Sequence, residues 1–113
     1  MSRPPLALTI NHAGRTVTVS AAGELDLATA PQLEECLRQL IEEEVTAEVT
    51  LDLSQVSFMD STSISTLIRM RQLAAVSDTT LVLSSPSAPV IRILDIMGIT
   101  KVFQIRTGPP KAE

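Results

Sequence analysis

"VTLDLSQVSFMDSTSISTLIRMRQLA", residues 49–74, changes period halfway along, and that change decides the fold. Val49, Leu51 and Leu53 alternate with polar residues, the two-residue repeat of a strand with one buried face. Beyond Ser61 the apolar residues recur at Ile64, Leu67, Ile68 and Leu73, the spacing of an amphipathic helix. Between them "MDSTSIST" (59–66) holds five hydroxyl side chains and one carboxylate in eight positions. A strand, a polar junction and a helix make the opening of a βαβ unit.

The flanking sequence repeats this plan. "LALTIN" (6–11) and "TVTVSAAG" (16–23) alternate around the Gly-containing turn "HAGR", as a hairpin does, with His12 in the turn. "GELDLATAP" (23–31) reads as a loop. Leu33, Cys36, Leu37, Leu40 and Ile41 form a helical stripe. Thr29 and Gln32 have capping-box spacing, and Pro31 suits a first turn. Strands follow at 47–54 and 79–85. Ser87 and Pro89 then open a helix with the stripe Val90, Ile93, Leu94, Met97 and the terminator Gly98. "KVFQI" (101–105) is a last strand.

The order β-β-α-β-α-β-α-β predicts an α/β fold, a mixed, mainly parallel sheet packed with amphipathic helices in three layers or nearly so. One domain is expected over 1–113, with a core at about 6–106 and a loose tail at 107–113. Leu33, Leu37, Leu40, Ile64, Leu67, Ile68, Ile93 and Leu94 should pack on Leu51, Leu53, Leu81 and Leu83.

Composition removes several function classes. Net charge is −4 with no clustered Lys and Arg, unlike a nucleic-acid surface. The single cysteine, Cys36, cannot form an internal disulfide, which fits a reducing cytoplasm. The start "MSRPPLALTI" lacks the apolar stretch of a signal peptide, and no run reaches membrane-spanning length, so no membrane partner is expected. No Cys/His spacing suggests a metal, and no Gly-rich phosphate loop suggests a nucleotide cofactor.

The hydroxyl cluster then has three candidate roles: helix cap, nucleophile or phosphate acceptor. Asp60 or Ser61 can cap the helix, which needs only one such residue and leaves Thr62, Ser63 and Ser65 unexplained. A serine nucleophile needs a nearby base, and the one histidine, His12, stands in a hairpin. A phosphoacceptor receiver domain would need an acidic pair after its first strand and a Lys near its fourth. Here the first strand ends in Asn11-His12, and no Lys precedes Lys101. Asp52 is therefore read as structural, its carboxylate taking loop N–H groups.

Three blocks resemble the STAS family of bacterial anti-sigma-factor antagonists. They are residues 49–74, with "LDLS" and "DST"; "GELDLATAP"; and "VIRILDIMGITKVFQI" (90–105). In order, they span about 6 to 106. The resemblance implies a binding switch and not an enzyme, needing no cofactor. Its partner would be an anti-sigma factor of serine/threonine kinase type, with a serine/threonine phosphatase as possible second partner. The family's acceptor falls on Thr62, with Ser61 and Ser63 as alternatives, and Asp26, Asp60, Ser61, Thr62 and Ser63 form the implied partner surface. Asp26 and the first helical turn should then lie close together and largely exposed. Ser63 and Ser65 stand where the family has Gly, which puts side chains on the surface offered to the partner. The alternatives are a STAS module of a signalling scaffold, unregulated by phosphate, and a small-ligand or nucleotide-binding domain.

Overall fold

The computed structural model describes residues 6–107. The elements are β1 (Ala7–Ala13), β2 (Thr16–Leu25), α1 (Ala30–Ile41), β3 (Glu48–Met59), α2 (Ser61–Val76), β4 (Thr80–Ser84), α3 (Ala88–Met97) and β5 (Gln104–Arg106). This is the order that the alternating periods predict. The strands form one sheet, β1-β2-β3-β4-β5, antiparallel between β1 and β2 and parallel elsewhere. The expected tail lies outside the described residues apart from Thr107.

One apolar face of the sheet carries the core. Val17, Val49 and Leu81 align across three strands, as do Val19, Leu51 and Leu83. All three helices cover this face, through Leu33, Leu37, Leu40 and Ile41 of α1, Ile64, Leu67, Met70 and Ala74 of α2, and Val90 and Leu94 of α3. Of the expected core residues, Ile68 and Ile93 are only half-buried at its edge. Met97, expected in the α3 stripe, is exposed.

The opposite face carries Thr18, Thr50, Val82 and Gln104 in one row and Ser20, Asp52, Ser84 and Arg106 in the next. Among the described residues no helix packs there, so the fold has two layers and not three. Thr18, Ser20, Asp52, Gln104 and Arg106 keep that face mainly polar, although Thr50, Val82 and Ser84 on it are buried. Asp52 sits on it, accepting the Ser54 N–H at 2.9 Å.

Other departures have local causes. The hairpin turn is the pair Gly14-Arg15 alone, with Gly14 at φ 64°, so His12 belongs to β1, opposite Val17. β5 begins at Gln104 because a turn follows α3. Gly98 at φ 68° ends that helix, with the Ile99 N–H returning to the Leu94 carbonyl at 3.1 Å. Phe103, expected in the strand, plugs the core before it. Ser87 stands at the N-cap of α3, but its hydroxyl donates to the Val56 carbonyl at 2.6 Å and caps nothing.

Glu34 of α1 accepts from Arg38 at 2.6 Å and from Arg69 of α2 at 2.7 Å, clasping the two helices. The hydrogen bond from Arg69, then that from Arg38, holds its carboxyl below the ordinary value. Burial pushes the Cys36 thiol up, which makes it a poor nucleophile. Among the described residues no helix is long and apolar enough to cross a membrane, and no acid–His–Cys cluster could hold a metal ion.

Candidate functional site

β2 and β3 run parallel, so their C-terminal ends emerge side by side, Leu25 opposite Met59. Both strands are longer than the alternation predicts: β2 takes in Gly23–Leu25 of the expected loop, and β3 continues five residues past Ser54. The pairing survives through two irregularities. From Ser20–Asp52 to Ala22–Gln55, and from Gly23–Val56 to Glu24–Phe58, β3 contributes one residue more than β2. Such bulges bend and twist the strand end. They carry the β3–α2 junction up to the β2–α1 turn.

Asp60 joins the two. Its N–H donates to the Leu25 carbonyl at 3.1 Å. Its Oδ1 accepts the Ser63 N–H at 3.0 Å, and its Oδ2 accepts the Leu27 N–H at 3.2 Å from the neighbouring turn. Asp60, in extended conformation, is thus the N-cap of α2, and Ser61 is the first helical residue. Of the two expected caps, the carboxylate takes the role.

Asp26 is close to this turn, as expected, but not exposed. Its relative accessibility is 9%, and its Oδ1 accepts the N–H groups of Ala28 and Thr29 at 3.0 and 3.1 Å. The Thr29 N–H is shared with the Asp26 carbonyl, also at 3.1 Å, and the carboxylate closes an Asx-turn over both donors. Leu25 beside it is fully buried in the core. The predicted capping box does not form. The Thr29 hydroxyl turns back to donate to the Glu24 carbonyl at 2.7 Å, and the Gln32 amide donates to the Leu6 carbonyl at 3.0 Å.

The hydroxyls of the first turn of α2 separate by environment. Ser61 and Ser65 are exposed, Thr62 is half-buried and Ser63 is fully buried. Ser63 therefore presents no side chain to a partner, contrary to its expected place on that surface. It lies on the inward stripe Ser63, Thr66, Met70, Ala74, and its Oγ has no hydrogen-bond partner among the described residues. Ser65 does face outward.

Sequence reasoning missed two apolar side chains here. Leu27 is 72% exposed, next to Ala28 in a shallow depression bounded by Asp26 and Asp60. Phe58, one of two aromatic residues in the chain, is 46% exposed at the end of β3. Their signal was an apolar residue at positions that no helical or strand repeat accounts for. The result is a surface with an apolar anchor, a carboxylate and two accessible hydroxyls at a helix N-terminus.

The STAS domain family model matches residues 7–112. An anti-sigma-B factor antagonist of Staphylococcus epidermidis is 32% identical over 90 residues, 80% of this chain and 82% of that protein. The crystal structure of an anti-sigma factor antagonist from Mycobacterium paratuberculosis shares the fold at TM-score 0.80 and 21% identity, over 96% of this chain and 92% of that one. The anti-sigma factor antagonist SpoIIAA in its unphosphorylated form matches at TM-score 0.68 and 23% identity, over 91% of this chain and 90% of that one. Bacillus SpoIIAA in the phosphorylated form matches at TM-score 0.68 and 19% identity, over 89% and 92%. Matched along nearly its whole length, the chain belongs to the STAS domain family.

Proposed function

We propose that this chain is an anti-sigma-factor antagonist acting as a phosphorylation-controlled binding switch in the bacterial cytoplasm. Unphosphorylated, it binds an anti-sigma factor with serine/threonine kinase activity and so frees a sigma factor for transcription. The kinase phosphorylates Thr62 with its own ATP and the complex ends; a serine/threonine phosphatase restores the first state. The chain itself turns nothing over.

The observation that carries the reading is the cap of α2. Asp60 does the capping, which leaves the hydroxyls of Ser61 and Thr62 uncommitted at a helix N-terminus beside the exposed Leu27. Such a terminus tolerates an added dianion, through its leading N–H groups and the helix dipole. A phosphate brings a charge of about −1.5 to −2, and against a docked partner that means repulsion and desolvation. The two forms of SpoIIAA match this fold equally well, which supports a switch that acts on the surface and leaves the fold alone. Asp26 supports the same surface from below by fixing the turn that presents Leu27.

Ser65 favours a second reading, a scaffold module without phosphate control, because its exposed side chain stands where the family pattern has Gly. One experiment separates the two. Partners are captured from the native bacterium and identified by mass spectrometry, and the captured kinase is incubated with the chain and ATP before peptide mapping. Phosphate on Thr62, with Thr62→Ala staying bound throughout, supports the switch. Phosphate on Ser61 moves the acceptor by one residue. No phosphate anywhere in 59–66 sinks phosphate control.

A further inference from the structure

We propose that Asp60 is a positioning residue that couples the first turn of α2 to Leu27, so that a phosphate on Thr62 acts on the partner surface by releasing Leu27. The inference rests on Thr62 being the acceptor, and goes beyond it by naming what the phosphate moves.

Leu27 is an apolar side chain almost wholly in water, so packing does little to orient it. What fixes its backbone is hydrogen bonding to carboxylates. Asp60 Oδ2 takes the Leu27 N–H at 3.2 Å, while Asp26 Oδ1 takes those of the next two residues. Asp60 cannot serve Leu27 independently of α2, because its other oxygen holds the Ser63 N–H at 3.0 Å. One carboxylate thus ties two segments 33 residues apart in sequence. Anything that rotates it disturbs both.

Phosphothreonine at 62 would do so for two reasons. It places a dianion two residues from the carboxylate, within the same helical turn, and like charges at that range repel strongly. It also offers three acceptor oxygens to the N–H groups of the first turn, in competition with Oδ1. Asp60 then rotates away from the α2 terminus, Oδ2 leaves the Leu27 N–H, and the depression between Leu27, Ala28 and Asp60 opens. Leu25 and Met59, on either side, are buried and stay in place, so the change remains local. The matching surface on the partner is an apolar pocket for Leu27. It loses that complement when the phosphate arrives.

The test needs neither kinase nor partner. Amide resonances and exchange rates are recorded by nitrogen-15 NMR for the full chain as wild type, as Asp60→Asn and with phosphothreonine placed at 62 during translation. Asn caps as well as Asp, so α2 should persist, but its NH2 group cannot accept the Leu27 N–H once its carbonyl holds Ser63. In both altered chains the Leu27 amide should shift upfield and exchange faster by about tenfold, with the Leu51 amide unchanged. A Leu27 amide that keeps its wild-type position and rate in the phosphorylated chain overturns the coupling, whatever Asp60→Asn does. Should Asp60→Asn fail to fold, the phosphothreonine chain decides alone. Failure of a native kinase to modify Thr62 would sink the switch but leave this measurement standing.

Discussion

The two halves of the β2–β3 ladder obey different rules. From Thr16–Glu48 to Ser20–Asp52 the register advances evenly, and Val17, Val19, Val49 and Leu51 are almost completely buried. Beyond Ser20, β3 bulges twice, and the buried positions fall at Leu53, Val56 and Met59, three residues apart instead of two. Ser54, Gln55, Ser57 and Phe58 turn outward. The even half closes a core, and the bulged half re-aims a strand end so that Asp60 meets the Leu27 turn. Regular pairing fixes the fold, and the irregularity builds the surface.

The largest expected effect tests that division directly. Leu51→Ala should cost roughly 2–5 kcal/mol in urea unfolding, since it opens a cavity in the fully buried core. Phe58→Ala, in the bulged half, should stay within about 0.5 kcal/mol of wild type. Equal losses would mean that Phe58 is packed against the chain and is not an exposed anchor.

Next in size is Asp26→Ala. It strips the acceptor from the Ala28 N–H and leaves Thr29 only the backbone carbonyl at 26, and it should lower stability by about 1–3 kcal/mol while the chain still folds. A melting curve identical to wild type would return Asp26 to the partner surface that the family resemblance implies. Opposite in sign is Ser63→Ala. Removing a buried hydroxyl without a partner should raise stability by about 1 kcal/mol, again by urea unfolding. A loss of that size instead would mean that the hydroxyl is satisfied in solution.

These positions also mark where the sequence stops being legible. The even half was readable, because alternation and helical stripes are the physics of burial written in the chain. Gly98 was readable as a stop for the same kind of reason, a positive φ that glycine adopts freely. The bulged half was not, because an extra residue breaks the alternation by which a strand is recognised. Ser63 read as surface because it stands where the family resemblance has a Gly facing the partner, yet helix geometry turns position 63 inward with Met70 and Ala74. Asp26 is ambiguous from sequence: a carboxylate can face a partner or close its own turn, although Asp-Leu-Ala-Thr also has Asx-turn spacing. The two-layer sheet was visible in the polar alternates Thr18, Ser20, Thr50 and Asp52. The expectation of a third layer came from how parallel sheets usually sit.

The smallest effect lies over the even half, at the clasp between α1 and α2. Glu34 bridges Arg38 and Arg69 on a surface open to water, where such pairs contribute at most about 1 kcal/mol. Glu34→Gln should therefore cost a few tenths of a kcal/mol near neutral pH. The pH dependence has a definite sign. The carboxyl is held below its ordinary 4.5, led by the bond from Arg69, so the folded chain binds its proton less readily than the unfolded one. The contribution is complete above 4.5 and fades as pH falls through the lower folded value. Wild type and Glu34→Gln should then differ at neutral pH, converge in acid, and converge also at about 1 M salt, where screening reaches roughly 3 Å. A gap that persists in acid would mean that Gln disturbs packing between the helices, and that the clasp is part of the core it was thought only to cover.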